Sequence, residues 1–263
     1  GTGCDLGPGH SGGAFIVGNL DHVADDAATA ALFERFPALE PAPPAPAAPA
    51  LTTETLVEHR DTNQSHLRLL YAPAVDPADP AQRAAFAIYA TLLGGSMGSR
   101  LFDEIREQRG LCYSVWAMHH MRSDSAVLQL GAGLESAKVG EAYARMREIV
   151  AELHADGPTE EEVERARAYA AGRRVLSFEN TNAVARHAAG DTIVHGEQGD
   201  PDEAIAALDA VTFDDVAAIA RAVDPGAAAV ACVGPHEAAD LAPTRPMTTP
   251  ALNEREQRRY RDR

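Results

Sequence analysis

The stretch that most constrains the fold is residues 94–116, where the hydrophobic pattern changes from the period of a helix to that of a strand. Glycines at 94, 95 and 98 predict a turn, and Gly110 predicts the end of the helix that follows. Residues 111–116 are rich in aromatic and β-branched side chains and predict a strand. The helix is amphipathic: one side carries Leu101, Phe102 and Ile105, and the other largely carries Asp103, Glu104, Glu107 and Gln108. This unit places Arg106, near the helix end, seven residues before Tyr113, at the start of the strand.

The segments on either side alternate between short strands and longer helices. Alternating apolar residues predict strands at 52–60 and 65–72, and a hairpin joins 111–119 to 125–134. Helices are predicted from Pro80 to about 93 and over 135–155, 160–178, 180–195, 201–208 and 212–223, before a last strand at 227–233. Thr159 and Glu162 form a capping-box pattern at the start of the helix over 160–178. Because strands and helices do not strictly alternate, we expect an α+β fold, a mostly antiparallel sheet with helices packed on one face.

A proline- and alanine-rich tract at 37–51 predicts an extended linker, since proline supplies no backbone N–H and disfavours helix. A short apolar strand at 14–18 and a helix at 22–36 precede it and resemble the last elements of another unit. The linker therefore separates residues 1–36 from a domain over 52–236, and the proline-rich, charged tail at 237–263 is expected to be disordered.

Charge and cysteine content exclude several classes of function. With 23 basic and 39 acidic residues the formal net charge is −16, which argues against a nucleic-acid partner and favours neutral or basic partners. Cys4, Cys112 and Cys232 lie far apart, and Cys112 and Cys232 fall in apolar strand-like runs. These two are expected to be buried, reduced thiols, so neither a disulfide scaffold nor a cysteine zinc site is expected. No apolar run approaches the ~20 residues that a membrane span requires. We expect a cytoplasmic location, although a chain that starts at Gly1 gives no test of a leader peptide.

The pattern Gly-x-x-x-Ser-Arg-Leu-Phe…Arg…Gly-Leu-x-Tyr-Ser within residues 95–115 resembles a signature of the insulinase/pitrilysin (inverzincin) family of zinc metallopeptidases, which includes the processing peptidases. Residues 15–21 and 59–66 extend the resemblance, which covers roughly residues 14–236. It implies that residues 1–36 are the tail end of a zinc-binding-type half, and that residues 52–236 are a C-terminal peptidase-like domain.

The family's two halves enclose a chamber: one half carries a His-x-x-Glu-His zinc motif, and the other contributes an arginine and a tyrosine. Neither His-x-x-Glu-His nor His-Glu-x-x-His occurs in this sequence. The resemblance therefore implies a processing-peptidase-like, C-terminal non-zinc half that is inactive alone, with zinc in the missing half or in a partner subunit. By the same resemblance, Arg106 holds a peptide carbonyl or carboxylate and Tyr113 stabilises the oxyanion of a peptide substrate.

Two other classes of function stay open. One is a non-catalytic structural core subunit, and the other is a pseudoenzyme that only binds peptides. Under either, Arg106 is an ordinary surface arginine beside acidic neighbours and Tyr113 an ordinary sheet residue. Arg100 and Arg109 are further arginines in the same stretch, but the spacing to Tyr113 favours Arg106.

Other polar clusters are weaker candidates. His187, Asp191 and His195 share one face of a predicted helix and are a minor candidate for a metal site. Adjacent His119 and His120 point to opposite faces of a strand and cannot easily share a metal. Three consecutive glutamates at 160–162 suit a helix start, and the glycines at 94–98 are not followed by the Gly-Lys-Ser/Thr of a phosphate loop.

Overall fold

The computed structural model describes residues 3–4, 14–15, 51–196 and 199–241. The strands are β1 (Gly3–Cys4), β2 (Ala14–Phe15), β3 (Thr55–His59), β4 (Gln64–Tyr71), β5 (Cys112–Met121), β6 (Ala126–Glu135) and β7 (Ala229–Gly234). The α-helices are α1 (Pro80–Ala90), α2 (Val139–Asp156), α3 (Glu160–Phe178), α4 (Thr181–His195), α5 (Pro201–Asp209) and α6 (Phe213–Ala222). Two π-helical segments, Thr91–Gly95 and Phe102–Gln108, flank the start of the motif, and short 3₁₀ helices cover Ser136–Lys138 and Ala238–Leu241.

Five strands form the main sheet, in the order β3-β7-β4-β6-β5. Neighbouring strands run antiparallel except for β3 and β7, which are parallel. β1 and β2 form a separate antiparallel pair. The predicted α+β class with a mostly antiparallel sheet is confirmed. The predicted hairpin is also present, with the Arg122 N–H donating to the Ser125 carbonyl at its turn.

The helices cover one face of the sheet because each strand is apolar on that face only. In β4, Leu67, Leu69 and Tyr71 are buried in the core, as the alternation predicts. The same core includes Phe86 of α1 and Ile149 of α2. The residues between them in β4 project from the opposite side, which we call the open face of the sheet. His66 and Arg68 of β4 lie on the open face.

The predicted capping box of α3 is present. The Thr159 hydroxyl accepts from the Glu162 N–H at 3.2 Å, and the Glu162 carboxylate accepts from the Thr159 N–H at 2.8 Å. The acidic first turn of α3 is also as expected for the positive end of the helix dipole.

The helical part of the motif differs from the prediction in two respects. The predicted glycine turn begins later, because the chain continues as a π-helical segment through Gly95. Gly94 is buried there, and a Cβ at this position would lie 2.3 Å from the backbone N of Ala117 in β5. Glu104 does not face solvent as predicted: it is 8% exposed and points toward α2.

Three predicted segments fall mainly outside the described residues: the helix at 22–36, the linker at 37–51 and the tail at 237–263. Of the tail, Ala238–Leu241 is described, and Leu241 is fully buried in the core. No helix in the described ranges is long and apolar enough to cross a membrane.

Candidate functional site

Tyr113 is displaced from the regular pairing of β5 by a β-bulge. Cys112 pairs with Leu134 and Ser114 with Gly133, so the two residues of β6 face three of β5 and Tyr113 is the extra one. Side chains alternate between the two faces of a strand, so without the bulge Tyr113 would lie on the core face with Val115 and Ala117. With it, the side chain is 85% exposed. A bulge on the edge strand thus turns an aromatic side chain out of the core and into solvent.

Arg106 lies near the end of the π-helical segment that precedes this bulge. Its guanidinium packs 4.8 Å from the centre of the Phe102 ring, and its Nε is 3.9 Å from an oxygen of Glu107. Both contacts are local, and 42% of the side chain is exposed. The neighbouring carboxylate matches the ordinary surface interpretation of this arginine. A long, exposed ion pair holds it weakly, so the guanidinium is available to a ligand.

The turn at Gly110 brings the end of the helix back onto the start of β5. Gly110 has φ of +59°, a conformation that favours glycine, and its N–H donates to the Arg106 carbonyl. The Leu111 N–H donates to the Ile105 carbonyl at 2.9 Å. The positive charge of Arg106 partly offsets the effect of burial, which raises the pKa of the Cys112 thiol. That Arg106 and Tyr113 act together on one ligand stays a prediction.

Arg100 has a structural role that the sequence did not reveal. Its Nε and Nη2 donate to the two carboxylate oxygens of Glu162 at 2.5 and 2.8 Å. Burial acts to raise the pKa of Glu162, but the hydrogen bonds and charge of Arg100, with those from Thr159, outweigh it and lower the pKa. The pair fixes the motif to the first turn of α3 and gives Arg100 a structural partner, whereas the choice of Arg106 as the functional arginine stays a prediction.

A second buried ion pair fixes the same segment to α2. The Arg145 Nε donates to the Glu104 carboxylate at 2.7 Å, and Arg145 also contacts Glu148 and Glu152. Burial raises the pKa of Glu104 and exceeds the opposing effect of Arg145. The two ion pairs thus join Arg100 to α3 and Glu104 to α2, both shortly before Arg106 in sequence.

The open face beside Tyr113 carries an arginine stacked on the single tryptophan of the chain. The Arg68 guanidinium lies 4.8 Å from the centre of the Trp116 ring, and Gly131 of β6 pairs with both residues in the sheet. Strand alternation predicts Arg68 on this face, but no sequence pattern predicts a function for Arg68 or Trp116. Their contact depends on the strand order β4-β6-β5, which the sequence did not reveal.

The adjacent histidines of β5 point to opposite faces, as predicted. His119 packs edge-on against Phe86 in the core, with ring centres 5.7 Å apart, whereas the His120 ring lies on the open face beside Gln129. Burial, then the nearby charges of Arg174 and His120, lowers the pKa of His119 to about 4. This pKa keeps the His119 ring neutral at physiological pH.

The remaining predicted cluster lies on α4. The His187 Nδ1 is 3.6 Å from Asp191, and its ring packs 5.1 Å from that of Phe178. In residues 51–196 and 199–241, no group of three or more His, Cys, Asp or Glu side chains is arranged to hold a metal ion. The described residues therefore do not fit a zinc site, and no chemical step can be assigned to a metal held by them.

Comparisons with known proteins identify the family of this chain. The family model described as the Peptidase M16 inactive domain matches residues 14–169. An uncharacterized zinc protease of Streptomyces coelicolor is 33% identical over 226 residues, which are 83% of this chain and 49% of that protein. YmxG, an uncharacterized zinc protease of Bacillus subtilis, is 31% identical over 183 residues, 70% of this chain and 44% of the relative.

Solved structures show the same fold at lower sequence identity. The peptidase M16 inactive domain from Pseudomonas fluorescens aligns with a TM-score of 0.73 and 18% identity, over 83% of this chain and 52% of that one. A conserved protein from Enterococcus faecalis aligns with a TM-score of 0.65 and 19% identity, over 81% of this chain and 50% of that chain. The chain thus spans about half the length of the relatives that it matches. The family model covers more than half of the chain and confirms the resemblance, so the chain belongs to the Peptidase M16 inactive domain family, the non-catalytic half of zinc-protease-like proteins.

Proposed function

We propose that this chain is the substrate-binding half of a zinc metalloendopeptidase and acts on peptides only beside a zinc-bearing half, in the same polypeptide or in a partner subunit. The observation that carries the proposal is the exposure of Tyr113 at a β-bulge, seven residues after an exposed Arg106. A bulge that turns a large aromatic side chain into solvent costs apolar burial, and bulges are over-represented next to active sites.

The two side chains suit complementary parts of a bound peptide. The Tyr113 hydroxyl is a hydrogen-bond donor that can stabilise negative charge developing on the scissile carbonyl oxygen. The Arg106 guanidinium offers several N–H donors in one plane, which suit a backbone carbonyl or a carboxylate of the peptide. An extended peptide would present its carbonyl groups to both by pairing with an exposed sheet edge.

Zinc in the other half would supply the activated water at neutral pH. A donor such as Tyr113 contributes about 2.7–4 kcal/mol to the transition state, which does not replace that chemistry. The chain alone therefore binds peptide without hydrolysing it. The free thiols of Cys112 and Cys232 support the cytoplasm as the compartment, which cell fractionation would test.

Reconstitution tests whether peptide hydrolysis requires both this chain and a zinc-bearing half. The purified chain, a zinc-bearing half of a relative, and their mixture are each assayed with a quenched fluorescent peptide, with and without a chelator. We expect chelator-sensitive hydrolysis that is much faster in the mixture than with either half. Chelator-sensitive hydrolysis by this chain alone would contradict the proposal.

Arg106→Ala and Arg109→Ala form a matched pair in the mixture. Arg109 is a neighbouring exposed arginine, 3.8 Å from Glu141. We expect Arg106→Ala to lower kcat/KM at least tenfold and Arg109→Ala to leave it within a factor of two. Equal effects of the two substitutions would remove Arg106 from the site and favour the alternative of a non-catalytic structural or peptide-binding module.

A further inference from the structure

We propose that the open face beside Tyr113 contains a carboxylate-binding subsite above Gly133, in which His66 and Ser114 flank the ligand and Arg68 lies at one end. Its ligand is a carboxylate of the bound peptide, on an acidic side chain or at the C-terminus. The subsite rests on the proposed function, because it defines which peptides that function accepts.

Arg68 supplies the charge. Its Nη1 donates to the Leu67 carbonyl at 2.9 Å, and its guanidinium stacks on Trp116. These contacts fix the plane of the guanidinium and leave the edge formed by Nε and Nη2 without an acceptor among the described residues. Burial lowers the pKa of Arg68, and no carboxylate in the described part of the chain offsets it. A half-buried guanidinium with a free two-donor edge is the group that binds a carboxylate bidentately.

Gly133 leaves room for a ligand on the open face. Gly133 pairs with His66 on one side and Ser114 on the other. A Cβ on Gly133 would lie 3.1 Å from the Ser114 Oγ and 3.9 Å from the His66 Nδ1. The hydroxyl and the imidazole therefore flank a position with no side chain, and both can donate hydrogen bonds to an oxygen placed there.

Trp116 and Arg68 cover the neighbouring glycine of β6, Gly131. A Cβ on Gly131 would lie 2.4 Å from the Trp116 Cζ2 and 2.9 Å from the Arg68 Nη1, so the ring and the guanidinium already occupy that space. The next position on the same face is Gly133, which is not covered in this way. A ligand above Gly133 thus meets the arginine and the tryptophan on one side and reaches the bulge at Tyr113 on the other.

Two carboxylates on the same face have cations of their own. Glu58 of β3 lies 3.5 Å from Arg60, and Glu135 of β6 lies 3.3 Å from Lys138. Their repulsion of an incoming carboxylate is therefore reduced. The negative charge of the whole chain acts at longer range and is screened within about 8–10 Å at physiological salt, whereas the contact with Arg68 is direct.

Trp116 is the only tryptophan of the chain and reports binding without any need for turnover. Its emission is titrated with three amidated peptides of one sequence that carry Glu, Ala or Lys at one central position, and with the Ala peptide bearing a free C-terminus. We expect a saturable change in emission and a Kd at least tenfold lower for the Glu peptide than for the amidated Ala and Lys peptides. A similar gain for the free C-terminus would identify the terminal carboxylate as a ligand as well.

Gly133→Val fills the proposed subsite without removing a polar group, and His66→Ala removes one wall. We expect each to reduce the preference for the Glu peptide at least fivefold, while Arg122→Gln, in the exposed turn between β5 and β6, leaves it unchanged. Circular dichroism confirms that each variant is folded. Equal Kd values for the three amidated peptides, or a preference that survives both substitutions, would overturn the subsite.

Failure of the subsite is distinguishable from failure of the proposed function. Tyr113→Phe should lower turnover in the reconstituted mixture while keeping the Glu preference measured by Trp116 emission. If the preference is absent but turnover depends on Tyr113, only the subsite is wrong. If the preference is present but turnover does not depend on Tyr113, the catalytic assistance is wrong and carboxylate binding stands.

Discussion

Arg100 and Glu162 form a two-pronged ion pair that joins the start of the motif to the capping box of α3. The same carboxylate accepts from Arg100 at 2.5 and 2.8 Å and from the Thr159 N–H at 2.8 Å. One side chain thus caps the start of a helix and binds a helical residue 62 positions away in sequence. The orientation of the segment that carries Arg106 depends on this contact.

Removing Glu162 should therefore be costly. Glu162→Ala leaves the Arg100 guanidinium partly buried without its partner and removes the cap, so we expect the free energy of unfolding to fall by about 3 kcal/mol or more. Arg165→Ala is the control, since its ion pair with Glu161 in the same helix is exposed and contributes about 0–1 kcal/mol. Urea unfolding measures the free energy of unfolding of the two variants. An equal loss in Glu162→Ala and Arg165→Ala would contradict this role of Glu162.

His119 predicts a dependence of stability on pH. Its pKa in the folded chain, about 4, is below the ordinary value of 6.5, so the folded state binds the proton less tightly than the unfolded state. The neutral, buried His119 ring contributes fully to the free energy of unfolding above pH 6.5. This contribution is lost as pH falls toward 4, which lowers the free energy of unfolding by up to about 3 kcal/mol.

The adjacent histidine provides the control for this prediction. His119→Leu should remove that part of the slope of unfolding free energy against pH, whereas His120→Gln, which alters the open face, should retain it. A slope that is the same in both variants between pH 6.5 and 4 would show that His119 is not responsible.

Alanine substitutions at Gly131 and Gly172 should have opposite effects on the free energy of unfolding. Gly131→Ala places a methyl group 2.4 Å from Trp116 and forces the ring off Arg68, so we expect a loss of about 1–3 kcal/mol and a shift in tryptophan emission. Gly172→Ala in α3 meets nothing within 4 Å and should stabilise the chain by about 0.5–1 kcal/mol. Chemical unfolding monitored by fluorescence measures both. Unchanged emission in Gly131→Ala would mean that the ring does not rest on this glycine.

The sequence predicted what depends on local pattern. The alternation of Leu67, Leu69 and Tyr71 identified a half-buried strand, and the spacing of Thr159 and Glu162 identified a helix start. Both signals arise within a few residues, where the hydrophobic period and the capping hydrogen bonds act.

What the sequence did not reveal depends on distant partners. Glu104 follows the polar side of a predicted helix, but Arg145, 41 residues away, draws it into a buried ion pair. The bulge at Tyr113 is a shift of one residue in pairing with β6, and no local pattern specifies it. The contact of Arg68 with Trp116 likewise requires the order of three strands. A sequence motif predicts Arg106 and Tyr113 as site residues, and the structure shows that both side chains are exposed.

The central claim is that the Tyr113 hydroxyl assists peptide hydrolysis. Tyr113→Phe removes one oxygen from a side chain that is 85% exposed, so the free energy of unfolding should change by less than about 0.5 kcal/mol. Tyr169→Phe, at another exposed tyrosine in α3, is the control. The most direct measurement is kcat for a quenched peptide in the reconstituted mixture. We predict a loss of about 100-fold or more for Tyr113→Phe and no loss for Tyr169→Phe; an unchanged kcat in Tyr113→Phe would contradict the claim.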